Sequence, residues 1–279
     1  MRMVNGGDND PIQRIKETRM RVVRLLHDGD CRYGLADEDT VTLISDEPFA
    51  AWEPEGLLPL ADARLLSPVA PTKVVCVGLN YKAHIAEMGH DFPTEPVIFI
   101  KPSTAVIGPH QPIPIPEGVG RVDYEAELGV VIGRRTHRAS RSEAAENVLG
   151  FTCGNDVTAR DIQQIDGQWT RAKGFDGFCP LGPWVETDVD PTGLTLECFV
   201  NGELKQQATT SDMLFHPYEL VSFVSQVMTL VPGDVILTGT PGGIGPIVSG
   251  DSVEVRISGV GSLVNPVGTL VHAGAGAPS

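Results

Sequence analysis

The chain has 279 residues, 41% hydrophobic and 20% charged, a balance that suits a folded domain with a substantial core and sets disorder aside. Thirty-six acidic against 21 basic residues give a formal charge of -15, so neither a nucleic-acid backbone nor an anionic membrane is an expected partner. The five cysteines, Cys31, Cys76, Cys153, Cys179 and Cys198, are scattered and form no CxxC pair, which excludes a zinc knuckle and a disulfide framework.

In chain order, residues 1–19 are polar and carry no core pattern, and are expected to be a flexible extension. They hold no apolar stretch of a signal sequence, and no run of about 18 apolar residues follows, so a cytoplasmic protein is expected. VVRLL, CRYGLA and TVTLIS are short strands with turns between them, forming a small N-terminal β domain over residues 20–69. It ends in the Pro-bearing LLSPVAPT, residues 65–72. The main domain is expected over 70–273, with a tail at 274–279. Within it KVVCVGL, PVIFIKP, AELGVVIG, LECFVNG, DVILTG and DSVEVRI are β-branched or alternating segments bounded by Gly, Pro and Asp. Two helices interrupt them, KAHIAEM and a segment from about 217 to 228, where Leu220, Phe223, Val224 and Val227 recur at helical spacing. The fold class is mainly β with a few helices (α+β).

Several segments carry chemistry. DYEAEL, residues 123–128, places Asp123, Glu125 and Glu127 at every second position of a strand, hence on one face. Carboxylates crowded in a partly buried site repel unless a cation offsets them, and a hard divalent ion does so; a solvated acidic strand face gives the same pattern. Asp156 follows GFTCGN, where it is either a ligand on a loop or a helix N-cap ahead of VTARDIQQ. His84 and Glu87, three apart in KAHIAEM, share a helix face and form either a general-base pair or an ordinary surface contact. Lys173 lies in the aromatic, Gly-rich QWTRAKGFDGFCPLGP, where it is solvated or, in a pocket, pairs with a substrate carboxylate or an enolate. LTGTPGGIG lacks the GK[ST] ending of a phosphate loop and no helical pattern follows it, which rejects a nucleotide site. The backbone N–H groups of Gly239 and Thr240 can still grip a carboxylate.

Taken together and in this order, GLNYKAHIAE, DYEAELGVVIG, GNDVTARDIQ, AKGFD and TGTPGGIG resemble the fumarylacetoacetate hydrolase family over roughly residues 70–270. The resemblance implies a β-roll or β-sandwich core in which Glu125, Glu127 and Asp156 hold Mg²⁺ or Mn²⁺. It implies that His84 and Glu87 are a catalytic dyad on a lid, that Lys173 stabilises an oxyanion, and that Arg160, Gln163 and Thr240 line the substrate site. It further implies a homodimer and a small-molecule β-dicarbonyl acid as substrate. The reaction implied is metal-dependent C–C cleavage of a 2,4-dioxo acid, or decarboxylation of an oxaloacetate-like one, through a pyruvate enolate. The alternative within enzymes is 2-hydroxyhepta-2,4-diene-1,7-dioate isomerase or keto–enol tautomerase; the alternative outside them is a non-catalytic metal-binding β protein. Leu79 stands in GLNY where acylpyruvate hydrolases of the family often carry Arg. The N-terminal β domain and the QWTRAKGFDGFCPLGP segment look more like the isomerase and decarboxylase branch.

Overall fold

The structure, a computed structural model, describes residues 10–87, 89 and 91–268. The expected tail at 274–279 and the first nine residues of the expected extension lie outside that range. The rest of the extension is not a free arm. Pro11–Thr18 is a helix, capped by Asp10 accepting from the Ile12 N–H, with Ile12 and Ile15 buried. Its two apolar side chains are three apart, too few to read as a core pattern in sequence, yet they pack with Val22, Val131 and Leu149.

The β-branched segments form strands because the sheet gives their side chains cover on both faces. A twelve-stranded sheet runs Pro54–Pro59, Thr40–Ile44, Asp30–Ala36, Arg21–His27, Cys179–Glu186, Val148–Asn155, Ala126–Ile132, Val235–Leu237, Lys73–Gly78 and Val97–Pro102, with Arg64–Leu65 and Val106–Ile107 joined at its side. The N-terminal strands continue this sheet, Val22 pairing with Val185 across the junction. A four-stranded sheet, Glu203–Thr209, Thr195–Val200, Ser252–Ile257 and Gly261–Pro266, packs against it. Leu128 and Val130 of the central strand face the cluster shared with that second sheet and with Leu220 and Val224. Val131, on the other face, meets Leu149, Val235 and the N-terminal helix.

Helices stand at Lys82–Glu87 and Pro217–Val227, where the periodicity placed them. One detail differs: Val227 is 59% exposed, because the helix ends there, and Val221 takes a place on the buried face instead. Arg141–Asn147, Arg160–Asp166 and Thr170–Lys173 are helices that sequence periodicity misses, since four to seven residues span too few turns to show it. Lys173 therefore ends a short helix rather than lying in a loop, and the CPLGP that follows begins the strand Cys179–Glu186.

Candidate active site

The strand Ala126–Ile132 is buried along its whole length, and Asp123, Glu125 and Glu127 are 0%, 5% and 1% exposed. A solvated acidic face is thereby excluded. The strand breaks at Glu125, between Val122–Tyr124 in a small three-stranded sheet and Ala126–Ile132 in the large one. At the break two backbone N–H groups turn to side chains: Glu125 donates to Asn155 Oδ1 at 2.9 Å and Ala126 to Gln206 Oε1 at 3.0 Å. The Asp156 N–H donates to the Glu125 carbonyl at 2.9 Å, which sets Asp156 beside Glu125. Asp156 caps no helix; the N-cap of Arg160–Asp166 is Ala159.

Glu125, Glu127 and Asp156 thus each offer an oxygen, all within 4.8 Å of one another. Three buried carboxylates at that separation are the oxygen-rich donor set that a hard divalent ion requires. Asp123 is excluded from this group by its partners. Arg121 holds it through both oxygens, at 2.6 and 3.0 Å, and Arg160 Nε donates to Oδ2 at 2.9 Å.

Cations interleave with the acids. Lys173 Nζ donates to Glu125 Oε2 at 2.8 Å and to Asp156 Oδ2 at 2.7 Å, while Arg160 reaches Glu125 Oε1 at 2.6 Å and Gln163 Oε1 at 2.6 Å. Burial opposes the charge on Glu125, but the Lys173 ammonium and Arg160 guanidinium outweigh it and hold its carboxyl at about 2. Among the described residues no cation hydrogen-bonds Glu127, and the Lys173 charge offsets only part of what opposes its ionisation. Burial, then the charges of Asp156 and Glu125, push its carboxyl well above the usual carboxylate range.

Gly239 N–H donates to Glu127 Oε2 at 2.7 Å. The Gly239 N–H thus grips a carboxylate, and the carboxylate is that of Glu127. Gly239 has φ +96°, and a Cβ there would stand 2.8 Å from the Asn80 Cβ, so only glycine fits. Thr240 does face the cavity, its hydroxyl donating to the Ala126 carbonyl at 3.0 Å and accepting from Gln206 Nε2 at 2.9 Å.

His84 is buried in the same cavity wall, its Nδ1 3.5 Å from Glu87 Oε2 and without a hydrogen-bond partner among the described residues. Burial holds its imidazole below the ordinary value of 6.5, against the pull of the Glu125 and Glu87 carboxylates. Glu87 Oε2 accepts from the Gly243 N–H at 3.1 Å, which ties the short helix to the TGTPGGIG loop. His84, Glu125, Glu127, Asp156, Arg160, Gln163, Lys173 and Thr240 line one cavity of about 380 Å³, whose other wall is Val77, Leu79, Val97, Phe99 and Trp169, while Glu87 stands behind His84 and outside the lining.

Two residues that hold the site were missed in the sequence. Gln206 reaches in from the second sheet, and nothing in its alternating strand marks it. Lys101 had a signal: a lysine in VIFIKP, among apolar neighbours, is a buried charge that needs a partner. It is fully buried, donating to Asp156 Oδ1 and, at 3.0 Å, to the Val157 carbonyl. Lys101→Met leaves Asp156 short of one partner and is expected to cost about 3–5 kcal/mol of stability. Added Mg²⁺ should recover more of the melting temperature in the variant than in the parent; an unchanged melting temperature would show that Lys101 holds nothing.

Residues 73–268 match the fumarylacetoacetate (FAA) hydrolase C-terminal family, and residues 20–68 the Rv2993c-like N-terminal family. The chain belongs to the fumarylacetoacetate hydrolase family. It is 52% identical over 242 residues to Protein Rv2993c of Mycobacterium tuberculosis, covering 85% of this chain and 91% of that protein. Among solved structures it is similar to 2-hydroxyhepta-2,4-diene-1,7-dioate isomerase from Mycobacterium marinum, with TM-score 0.83 and 47% identity over 89% of this chain and 98% of that one. The mitochondrial oxaloacetate tautomerase FAHD2B of Bos taurus is 44% identical over 224 residues, 76% of this chain and 71% of that protein. No described helix is long and apolar enough to cross a membrane.

Proposed function

We propose that the protein is a divalent-metal-dependent enzyme that converts a 2-oxo acid bearing a second carbonyl two carbons on, by way of its enolate. The observation that carries this reading is the convergence of three carboxylates, an ammonium and a buried imidazole on one cavity. Glu125, Glu127 and Asp156 would hold Mg²⁺ or Mn²⁺, which supplies Lewis-acid stabilisation of charge on the 2-oxo acid when bound. Lys173 sets a positive charge beside the developing enolate oxygen. His84 takes a proton from the carbon between the carbonyls, with Glu87 orienting its ring. Arg160, Gln163 and Thr240 line the approach.

Proton return at another position gives a tautomer or an isomer, the outcome favoured by the names of the mycobacterial and bovine relatives. A second reading, C–C cleavage, is favoured by the His84–Glu87 pair, which suits activation of a water. Water then adds to the distal carbonyl, the bond to the central carbon breaks, and its electron pair leaves on the pyruvate enolate, which takes a proton to give pyruvate. Oxaloacetate would instead lose CO₂. The test follows the enol absorbance and the pyruvate formed from acetylpyruvate and from oxaloacetate, with Mg²⁺ and with EDTA. Metal-dependent decay of the enol signal is expected, and pyruvate release decides for cleavage. Neither signal from protein that retains its ion would overturn the reading.

A further inference from the structure

The cavity is divided in its chemistry. At one end stand Glu125, Glu127, Asp156, Arg160 and Lys173; the other wall is Val77, Leu79, Val97, Phe99 and Trp169. The helix Thr170–Lys173 spans the two, the Lys173 N–H donating to the Trp169 carbonyl at 2.9 Å, so the indole's backbone lies about 6 Å along the axis from the lysine's. The Lys173 Nζ is 5.2 Å from the Phe99 ring centroid, and Phe99 meets Trp169 edge to face at 5.1 Å. The indole then lies on Gly78, where a Cβ would come within 2.9 Å of it. Leu79 follows with φ +57°, a conformation that leucine adopts rarely and that turns the chain from the strand toward the His84 helix.

The cations of the lining are all committed at the acidic end. Arg160 donates to Asp123, Glu125 and Gln163, and Lys173 to Glu125 and Asp156. Among the described lining residues the apolar wall has no charged group of its own. A carboxylate there would gain no counter-charge in return for the water it sheds against Phe99 and Trp169, whereas a hydrocarbon group gains by burial. Resting on the function proposed above, we infer that this wall is a hydrocarbon subsite: the enzyme takes 2-oxo acids whose group beyond the second carbonyl is alkyl or aryl, in preference to dicarboxylates. Leu79 and Val97 are its specificity-determining residues.

The test is calorimetric titration of the Mg²⁺-loaded protein with oxamate, N-butyl oxamate and N-(3-carboxypropyl) oxamate, which share an anchor resembling a 2-oxo acid and differ in the tail. The butyl compound should bind tighter than oxamate, by about fourfold for each methylene buried, and the carboxypropyl compound no tighter than oxamate. Leu79→Arg should reverse the order of the two tailed compounds. Val97→Lys, on a strand position already 38% exposed, should do the same if the Leu79 variant fails to fold. Tighter binding of the carboxypropyl compound by the parent protein would overturn the subsite while leaving the proposed function standing. Failure of oxamate itself to bind would remove the anchor, and with it both.

Discussion

Glu127→Gln is expected to make the metal-free protein more stable and the enzyme inactive. The buried Glu127 carboxyl is pushed up by burial and by Asp156 and Glu125, with the Gly239 N–H, at 2.7 Å, as its one hydrogen bond among the described residues. A carboxyl raised in the folded state penalises folding above its unfolded value, and the penalty disappears as pH falls below it. Glutamine keeps an oxygen for Gly239 and has no proton to lose, so the variant should melt higher than the parent at neutral pH, with the gap closing in acid. It also removes one of the three carboxylates that the proposed function assigns to the ion. Metal affinity should drop by more than the roughly 10–100-fold that losing a supporting hydrogen bond costs a metal site. Turnover should drop on the order of 10³-fold with the Lewis acid gone. Thermal melts across pH in EDTA, with Mg²⁺ titration alongside, read both effects. A variant that melts lower at neutral pH, or binds Mg²⁺ as the parent does, would contradict this account of the triad.

His84→Ala is expected to separate catalysis from metal binding. His84 belongs to no carboxylate cluster, so the variant should titrate with Mg²⁺ like the parent while kcat falls about 10²–10⁴-fold, the range for loss of a general base. The pH dependence carries a sign. Burial holds the imidazole below 6.5, so the parent should keep its activity as pH falls through 6.5 and lose it only lower, where the ring charges. That acid limb should be missing from the residual rate of the variant. Unchanged kcat would remove His84 from the part of general base, and loss of the ion would give His84 a structural part.

What was legible in the sequence followed from periodicity and from short motifs. The β-branched runs became strands and the 217–227 helix formed because each pattern records a face that needs cover. The acids were legible as a row, but spacing could not separate Asp123 from Glu125 and Glu127. That separation depends on Arg121 and Arg160 closing on Asp123, two contacts of which one spans 37 residues. Trp169 was visible only as part of an aromatic loop, because its place against Gly78 is a tertiary fact. Gln206 was illegible for the same reason: it acts across 80 residues, on a backbone N–H that local sequence would assign to a strand ladder.

The junction between Val22 and Val185 gives the N-terminal strands a further part. They occupy what would otherwise be an open flank of Cys179–Glu186, whose other side is taken by Val148–Asn155. Bare strand flanks recruit other chains, and this one would offer Leu181 and Val185, both fully buried, as an adhesive stripe. The N-terminal strands therefore act as a cap: they cover a strand flank that would otherwise be open, and none of their residues lines the carboxylate cavity.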